Sequence, residues 1–324
     1  MRKASQKLRD AAALRMSLIS WYDQDRRDLP WRRTCDPYRI WVSEIMLQQT
    51  RVAVVIPRYQ RFLRKFPSVQ KLASAREMSV LAEWSGLGYY RRARSLHAAA
   101  KLVAREGKFP QSAAEWLFLP GIGRYTAAAI ASIAFNEPAA VLDGNVERVL
   151  RRLIGHPLTR VASWDAAQEL LDPMRPGDFN QAMMELGSTL CIPSQPMCGE
   201  CPISRFCRTH GHGDTPSRKP CVNKRTVAYE LVLSDGSVRL VHRSSTARLM
   251  PSMWELPSCG GGKKGDRLLF SLKHSITNTD YDVRVIERSQ AGSHQGVWIK
   301  ISRLPQLALT GLARKILCIA GVIS

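Results

Sequence analysis

The sequence predicts a multidomain chain, with an all-α first domain running to about Cys207 and a small α+β domain from about residue 227. Three observations carry this reading. Apolar residues recur at helical spacing from residue 8 to residue 189, and no convincing alternating stretch precedes the cysteines. Between Pro202 and Arg225 the composition shifts to Gly, Pro, His and Ser with six Lys or Arg, as in an exposed basic linker. After it, VAYELVLSDGSVRLVHR alternates around the turn Ser234-Asp235-Gly236, a hairpin signal.

A chain of 324 residues is too long for one ordinary core and suggests two or three domains. At 45% hydrophobic it has the means to bury them. Forty-eight Lys and Arg against 27 Asp and Glu give a net charge of +21, more than solubility requires. That charge points to a polyanionic partner, with nucleic acid ahead of a membrane surface, because no apolar run approaches ~20 residues. MRKASQKLRDAAALRMSL lacks an apolar core and a cleavage site, so secretion is not expected.

In chain order, residues 8 to 27 read as an amphipathic helix with Leu14, Leu18, Trp21 and Tyr22 at helical spacing, broken by Leu29-Pro30-Trp31-Arg32. From Pro37 the pattern predicts two helices parted near Pro57, with apolar residues on both sides of Glu44, which should be partly buried. Helical spacing continues over 67 to 83, then a Gly86 to Tyr90 turn leads into an Arg-rich helix over 91 to 106. In the second domain further strands are expected at 268 to 274 and 281 to 287, with a terminal helix over 310 to 321.

The chemistry concentrates between Leu119 and Arg152. Leu119-Pro120-Gly121-Ile122-Gly123 reads as a tight turn whose glycines tolerate unusual backbone angles and leave amides bare at the start of a helix over Arg124 to Phe135. Bare amides at a helix N-terminus favour a phosphate oxygen, so this is the hairpin of a helix-hairpin-helix module that holds DNA by its backbone. The plain alternative is a turn and nothing more. Asp143-Gly144-Asn145 opens the next periodic run, Val146 to Ile154, where Asp143 could cap a helix and still face a cleft. Eight cysteines occur, and Cys191, Cys198, Cys201 and Cys207 fall in a C-x6-C-x2-C-x5-C pattern. Four thiolates so spaced suit zinc or an iron–sulfur cube in a reducing compartment.

Following a helix-hairpin-helix, that cysteine spacing resembles the cluster loop of the endonuclease III superfamily of DNA glycosylases. The likeness runs densely from about Trp21 to Cys207, through WYDQDRRDLPWRRTCDPYRIWVSEIMLQQT, FPSVQKLA, GLGYYRRARSLHAAA, LPGIGRYTAAAI, VLDGNVERVLRRL and FNQAMMELGSTLC. It is similar in particular to the adenine-removing, MutY-type members, and RLMPSMWELP and LKHSIT sit where their appended Nudix-like domain has its recognition elements. The resemblance implies a catalytic domain over 1–207, made of a six-helix module over about 28–141 and an N-terminal helix joined to a cluster module over about 142–207. It further implies a linker over 208–226, a Nudix-like domain over 227–324, a [4Fe-4S] cluster on the four cysteines, and a monomer acting on double-stranded DNA with A:8-oxoguanine or A:G mispairs. The location it implies is the bacterial cytoplasm, or the nucleus or mitochondria of a eukaryote.

Breaking a purine–deoxyribose bond builds positive charge on the sugar and negative charge on the leaving base, and two carboxyls meet both demands. The resemblance makes Glu44 the general acid, its apolar setting of Trp41, Val42, Ile45 and Met46 keeping a proton available. It makes Asp143 the ionised group that stabilises the sugar cation, with Asn145 orienting it or binding a phosphate. Tyr125 stands where strand-cutting members carry a Schiff-base lysine, so simple hydrolysis to an abasic site is expected, with the phenol sharing a hydrogen bond with the acids. Gln49 and Tyr89 are the implied wedges on the 8-oxoguanine side, against plain readings as a solvated helix residue and a core aromatic. Trp31, Arg32, Leu47 and Glu185 correspond to the adenine pocket, although packing alone explains Trp31 and Leu47. Arg91, Arg92, Arg94, Arg205 and Arg208 suit phosphate contacts. The Glu-rich Nudix box is missing, which leaves recognition of oxidised guanine as the tail's role. There Leu272-Lys273-His274-Ser275 departs from a Phe-Ser-His turn, so either Lys273 or Ser275 would replace the serine contact beside His274. The rivals are a thymine glycosylase of the same superfamily and a catalytically silent DNA-binding scaffold.

Overall fold

The computed structural model describes residues 11–211, 223–247, 249–259, 267–276, 278–287 and 296–323. They form two compact units, Met1–Ala73 with Ser95–Ser217, and Ser74–Arg94 with Arg218–Ser324. The helices are α1 (Ala11–Asp25), α2 (Pro37–Leu47), α3 (Val52–Lys65), α4 (Val69–Ala73), α5 (Glu77–Glu83), α6 (Arg91–Glu106), α7 (Ala113–Trp116), α8 (Arg124–Phe135), α9 (Gly144–Ile154), α10 (Arg160–Leu170) and α11 (Pro176–Thr189). Short 3-10 turns occur at Pro30–Arg33 and Ser204–Phe206. Among the described residues no strand precedes Asn223, and no helix is long and apolar enough to cross a membrane.

The helix starts follow their caps. Asp36 accepts from the Tyr38 and Arg39 amides ahead of α2, with Pro37 in the first turn, where a missing N–H costs nothing. Ser112 and Glu115 form a reciprocal capping box on α7, and Thr159 caps α10. The break expected near Pro57 is displaced: α3 runs through Pro57, and the chain turns instead at Gln48–Arg51, where Gln49 is left-handed (φ 54°). Pro57 lies in the second turn of α3 and removes one backbone bond, while Val55, Tyr59 and Phe62 stay buried on one face and hold the helix together.

The first unit's core positions the site. Leu14, Leu18 and Tyr22 of α1 pack with Val146, Val149, Leu150 and Leu153 of α9, Trp164 and Leu170 of α10, and Phe179, Ala182, Met183 and Leu186 of α11. Helix α8 is a run of small residues, and its alanines let α2, α7 and α11 approach closely. Where α11 crosses α8, a Cβ on Gly177 would meet the Ser132 carbonyl at 2.6 Å, so only glycine fits. Asn180 then donates to Ser132 Oγ (2.9 Å) and the Ala139 carbonyl (2.8 Å) and accepts from the Val141 amide (3.1 Å). These bonds pin the segment that delivers Asp143.

The second unit carries β1 (Asn223–Leu231), β2 (Leu233–Ser234), β3 (Ser237–His242), β4 (Trp254–Glu255), β5 (Ser258–Cys259), β6 (Arg267–Ile276), β7 (Thr279–Glu287), β8 (Val297–Lys300), a 3-10 turn (Ile301–Gln306) and α12 (Gly311–Ile319). One sheet has the order β5-β1-β7-β6, with β1 and β7 parallel; in the other β3 pairs with β2, β4 and β8. The Asp235-Gly236 turn forms as expected, both residues at positive φ, but the long hairpin does not. Only Leu233 and Ser234 pair with β3, while Asn223–Leu231 crosses to the other sheet. Local alternation marks a strand without naming its neighbour. Asn223 to Thr226, expected in the basic linker, are the first residues of β1, and the linker stretch 212–222 lies outside the described residues, as do 260–266 of the glycine- and lysine-rich segment. Leu231, Val238, Leu240, Val283 and Val285 meet Leu312, Ile316 and Leu317 of α12 in this unit's core. Within the same unit, Tyr90 donates to the Leu309 carbonyl (3.0 Å) and Arg94 to the Pro251 carbonyl (2.6 Å).

Candidate active site

A cavity of about 690 Å³ opens in the first unit among α2, α8, α11, the Pro30–Arg33 turn and the start of α9. Glu44, Tyr125, Asp143 and Asn145 all line it, so the catalytic candidates, 101 positions apart at the extremes, converge. Glu44 is more deeply buried than its sequence setting suggested, 5% exposed among Ile40, Trp41, Val42, Ile45 and Met46. Burial pushes its carboxyl up to about 7, against the opposing hydrogen bond from Tyr125 and with help from the Asp143 charge. The Tyr125 hydroxyl donates to Glu44 Oε2 at 3.0 Å, and Met184 Sδ lies equally near at 3.0 Å. Burial first, then the two carboxylates, holds the phenol well above its ordinary range, so it keeps its proton.

Asp143 does both things its sequence position allowed. Its Oδ1 caps α9, accepting from the Asn145 amide (2.9 Å) and the Val146 amide (2.8 Å), and its Oδ2 accepts from Asn145 Nδ2 (3.1 Å). Asn145 is therefore its orienting neighbour. Asn145 Oδ1 in turn accepts from Arg148 Nη2 (2.9 Å), which also reaches the Gly187 carbonyl (2.6 Å).

Trp31, Arg32, Leu47 and Glu185 line the same cavity. The Trp31 ring sits edge-on to Tyr59, centroids 5.4 Å apart, so packing and pocket wall are one role. Glu185 is 1% exposed; burial alone would raise its carboxyl, but hydrogen bonds from Arg27 and Arg32 outweigh that and hold it near 2. Arg27 is a residue the sequence reading passed over, as are Gln48, whose amide donates to Thr126 Oγ1 (3.1 Å), and Met184. Gln48 and Met184 lie within one residue of named positions, but no spacing rule singles out any of the three.

Gln49 reaches the cavity rim from the α2–α3 turn, exposed and left-handed rather than helical. Tyr89 belongs to the second unit, is 47% exposed rather than core, and is also left-handed (φ 47°) with the Arg92 guanidinium over its ring. Positive φ in a non-glycine residue is strained, and both wedge candidates carry it. At the hairpin, Gly121 has φ 81° and a Cβ there would strike Ser95 at 2.4 Å, whereas Gly123 caps α8 with open space around it. No side chain caps that end, which leaves the first amides of α8 facing outward. The arginines divide: Arg91 and Arg208 are exposed, Arg205 stacks on Phe206, but Arg92 donates to the Leu87 and Gly88 carbonyls and Arg94 pairs with Glu77. Those last two are committed inside the protein.

Cys191, Cys198, Cys201 and Cys207 surround one small pocket beside Arg152. Arg152, only 2% exposed, donates to Cys191 Sγ (3.2 Å) and to the Ile192 (2.9 Å) and Pro193 (3.0 Å) carbonyls. Among the described residues no three His, Cys, Asp or Glu side chains gather as a single ion would need. The four thiols ring a space instead of meeting at a point. In β6, Lys273 and Ser275 lie exposed on one face and His274 half-buried on the other. The Ser275 hydroxyl donates to Asp280, and burial with the nearby Lys315 charge lowers the His274 pKa.

A helical scaffold with an exposed Gly-x-Gly hairpin, and two carboxyls lining one cavity, places the chain in a class. It belongs to the HhH-GPD superfamily of base excision DNA repair proteins, whose pattern residues 42–171 match. The solved structure of a thermostable thymine-DNA glycosylase covers 64% of this chain and is itself covered over 98% of its length, at 30% identity and TM-score 0.59. Within that class the chain is similar to the adenine DNA glycosylase of Rattus norvegicus, 52% identical over 219 residues, which are 62% of this chain and 42% of the rat protein. It is 48% identical over 229 residues to that of Arabidopsis thaliana, 60% of this chain and 36% of the plant protein. The chain thus spans less than half the length of either relative.

Proposed function

We propose that this protein is a monofunctional adenine DNA glycosylase that hydrolyses the N-glycosidic bond of adenine mispaired with 8-oxoguanine or guanine and leaves an abasic site. One observation carries the reading: a carboxyl pushed up to about 7 by burial, Glu44, faces the same cavity as the helix-capping carboxyl Asp143. An acid with a pKa near neutrality holds a proton to give and loses it readily, which suits protonation of a leaving base. Asp143, held by three donors, supplies the charge opposite the sugar cation, and Asn145 keeps it aimed. Trp31, Arg32, Leu47 and Glu185 wall the base site, and Tyr125 in place of an amine leaves no Schiff-base route at that position.

The α8 amides beyond Gly121 and Gly123 grip a DNA phosphate, and Gln49 and Tyr89 fill the space of the extruded base. The four cysteines fit a [4Fe-4S] cluster, since four thiols ring one pocket and a buried guanidinium offsets their charge. The cluster would supply iron sites that tie residues 191–207 to α9 and α11. We take 1–207 as the catalytic domain, 208–226 as linker and 227–324 as a Nudix-like domain for 8-oxoguanine. With Ser275 already donating to Asp280, Lys273 is the better placed of the two candidates there, and His274 serves from the opposite face. The protein is a monomer that works where double-stranded DNA is kept.

The thymine reading has one observation in its favour, the solved thymine-DNA glycosylase at 30% identity, and the 52% identity to an adenine enzyme outweighs it. Single-turnover base release from duplexes holding A:8-oxoguanine, A:G, A:C or T:G, with the intact protein and Glu44→Gln, decides. Adenine release lost in the variant supports the proposal. Thymine release from T:G, or binding without release, overturns it.

A further inference from the structure

The Tyr125 hydroxyl has one proton and two acceptors within reach, Glu44 Oε2 and Met184 Sδ, each at 3.0 Å. A phenol donates one hydrogen bond at a time, and a thioether accepts only weakly. The competition is therefore real only when the carboxyl is a poor acceptor, which is when Glu44 is protonated. Met184 differs from its neighbour in this respect. Met183 is buried in the core of α11, whereas Met184 packs against that core from the side and also lines the cavity, so packing explains its bulk but not why its sulfur stands against the phenol.

We propose that Met184 is a positioning residue: its sulfur accepts the hydrogen bond of the Tyr125 hydroxyl while Glu44 is protonated, and the hydroxyl turns to Glu44 Oε2 as that carboxyl gives its proton away. A phenol locked onto Glu44 would stabilise the carboxylate throughout, lower the pKa and strip the group of its proton before it acts. A phenol with a second resting place leaves the carboxyl protonated in the ground state and supports the carboxylate only once it forms, so the interaction is made where charge develops. The phenol keeps its proton in both positions because burial holds its pKa well above the ordinary range. The titratable and charged groups facing Glu44 are Tyr125 from α8, Asp143 from the turn before α9 and Arg32 from the 3-10 turn, and Tyr125 is faced by Glu44 and Asp143. Arg27, Arg51 and Glu185 complete the cavity's charged lining. None of these offers the hydroxyl an alternative acceptor within hydrogen-bond distance.

The inference rests on the glycosylase reading, and the test separates the two. Single-turnover adenine release is measured from about pH 5 to about pH 9 for the intact protein, Met184→Leu, Tyr125→Phe and the double variant. Leucine keeps the volume and removes the acceptor. The rate of Met184→Leu should match the parent at the acid end and fall about three- to tenfold below it above both midpoints, because the Glu44 midpoint moves down by about half to one pH unit. In the Tyr125→Phe background Met184→Leu should shift nothing, and Met184→Gln, which keeps an acceptor atom, should retain the parental midpoint should the leucine variant fold poorly. An unchanged midpoint in Met184→Leu, a loss of rate equal at every pH, or a shift that survives without the phenol overturns the proposal. If the intact protein releases no adenine, the functional reading fails, and infrared titration of the Glu44 carboxyl in DNA-free Met184→Leu still shows whether its midpoint falls.

Discussion

Gly187→Ala tests whether the orientation of Asp143 depends on the close approach of α11. A Cβ at Gly187 would stand 2.7 Å from Asn145 Cβ and 3.1 Å from the Asn145 carbonyl oxygen, where ordinary contact begins at 3.4 Å. The shortfall is about 0.7 Å, and it falls on backbone and a side chain already held by Asp143 and Arg148, so no flexible tip can swing aside. Overpacking of this kind costs about 1–3 kcal/mol of stability. Its effect on rate should exceed what that implies, because misplacing a reacting group by ~1 Å costs ~100-fold, and several tenths of an ångström at Asn145 displaces the carboxylate it orients. We expect single-turnover adenine release to fall about ten- to a hundredfold at saturating enzyme and at a temperature well below the melting point. Gly199→Ala, at a position with nothing within 4 Å, is the control and should retain the parental rate. A folded Gly187→Ala protein within twofold of the parent would show that α11 and Asn145 do not set the geometry of Asp143.

Two further outcomes follow from the same structure. Burial pushes the folded Glu44 carboxyl up to about 7 from its ordinary 4.5, so it costs no stability below pH 4.5, and the cost grows as pH rises to 7 and is constant above. Glu44→Gln should therefore melt higher than the parent at about pH 8, by on the order of 2–3 kcal/mol, and close to it at about pH 4.5; equal melting at both would refute the raised pKa. Cys198→Ser should lower the iron and acid-labile sulfide content of the purified protein and its thermal midpoint, while zinc in place of iron in the parent would refute the cluster.

Periodicity placed α1 and α6, and the cap at Asp143 was legible because it relies on residues within three positions. The break near Pro57 was misplaced because a proline in the second turn costs one bond, less than the burial of Val55, Tyr59 and Phe62 returns. The hairpin failed for a related reason: turn chemistry is local, whereas the parallel pairing of β1 with β7, fifty-six positions apart, is set by which faces need covering.

Composition and short motifs by themselves determined the helical class of the first domain, the basic charge, the hairpin, the four cysteines and the two carboxyls, because each depends on residue type and near spacing. Tertiary structure alone decided that Glu44 is buried enough to reach a pKa near neutrality, that Glu185 is consumed by Arg27 and Arg32, and that a methionine sulfur stands 3.0 Å from the Tyr125 hydroxyl. Desolvation and hydrogen bonding depend on atoms brought within about 3 Å from segments far apart in the chain, and no local pattern records those distances.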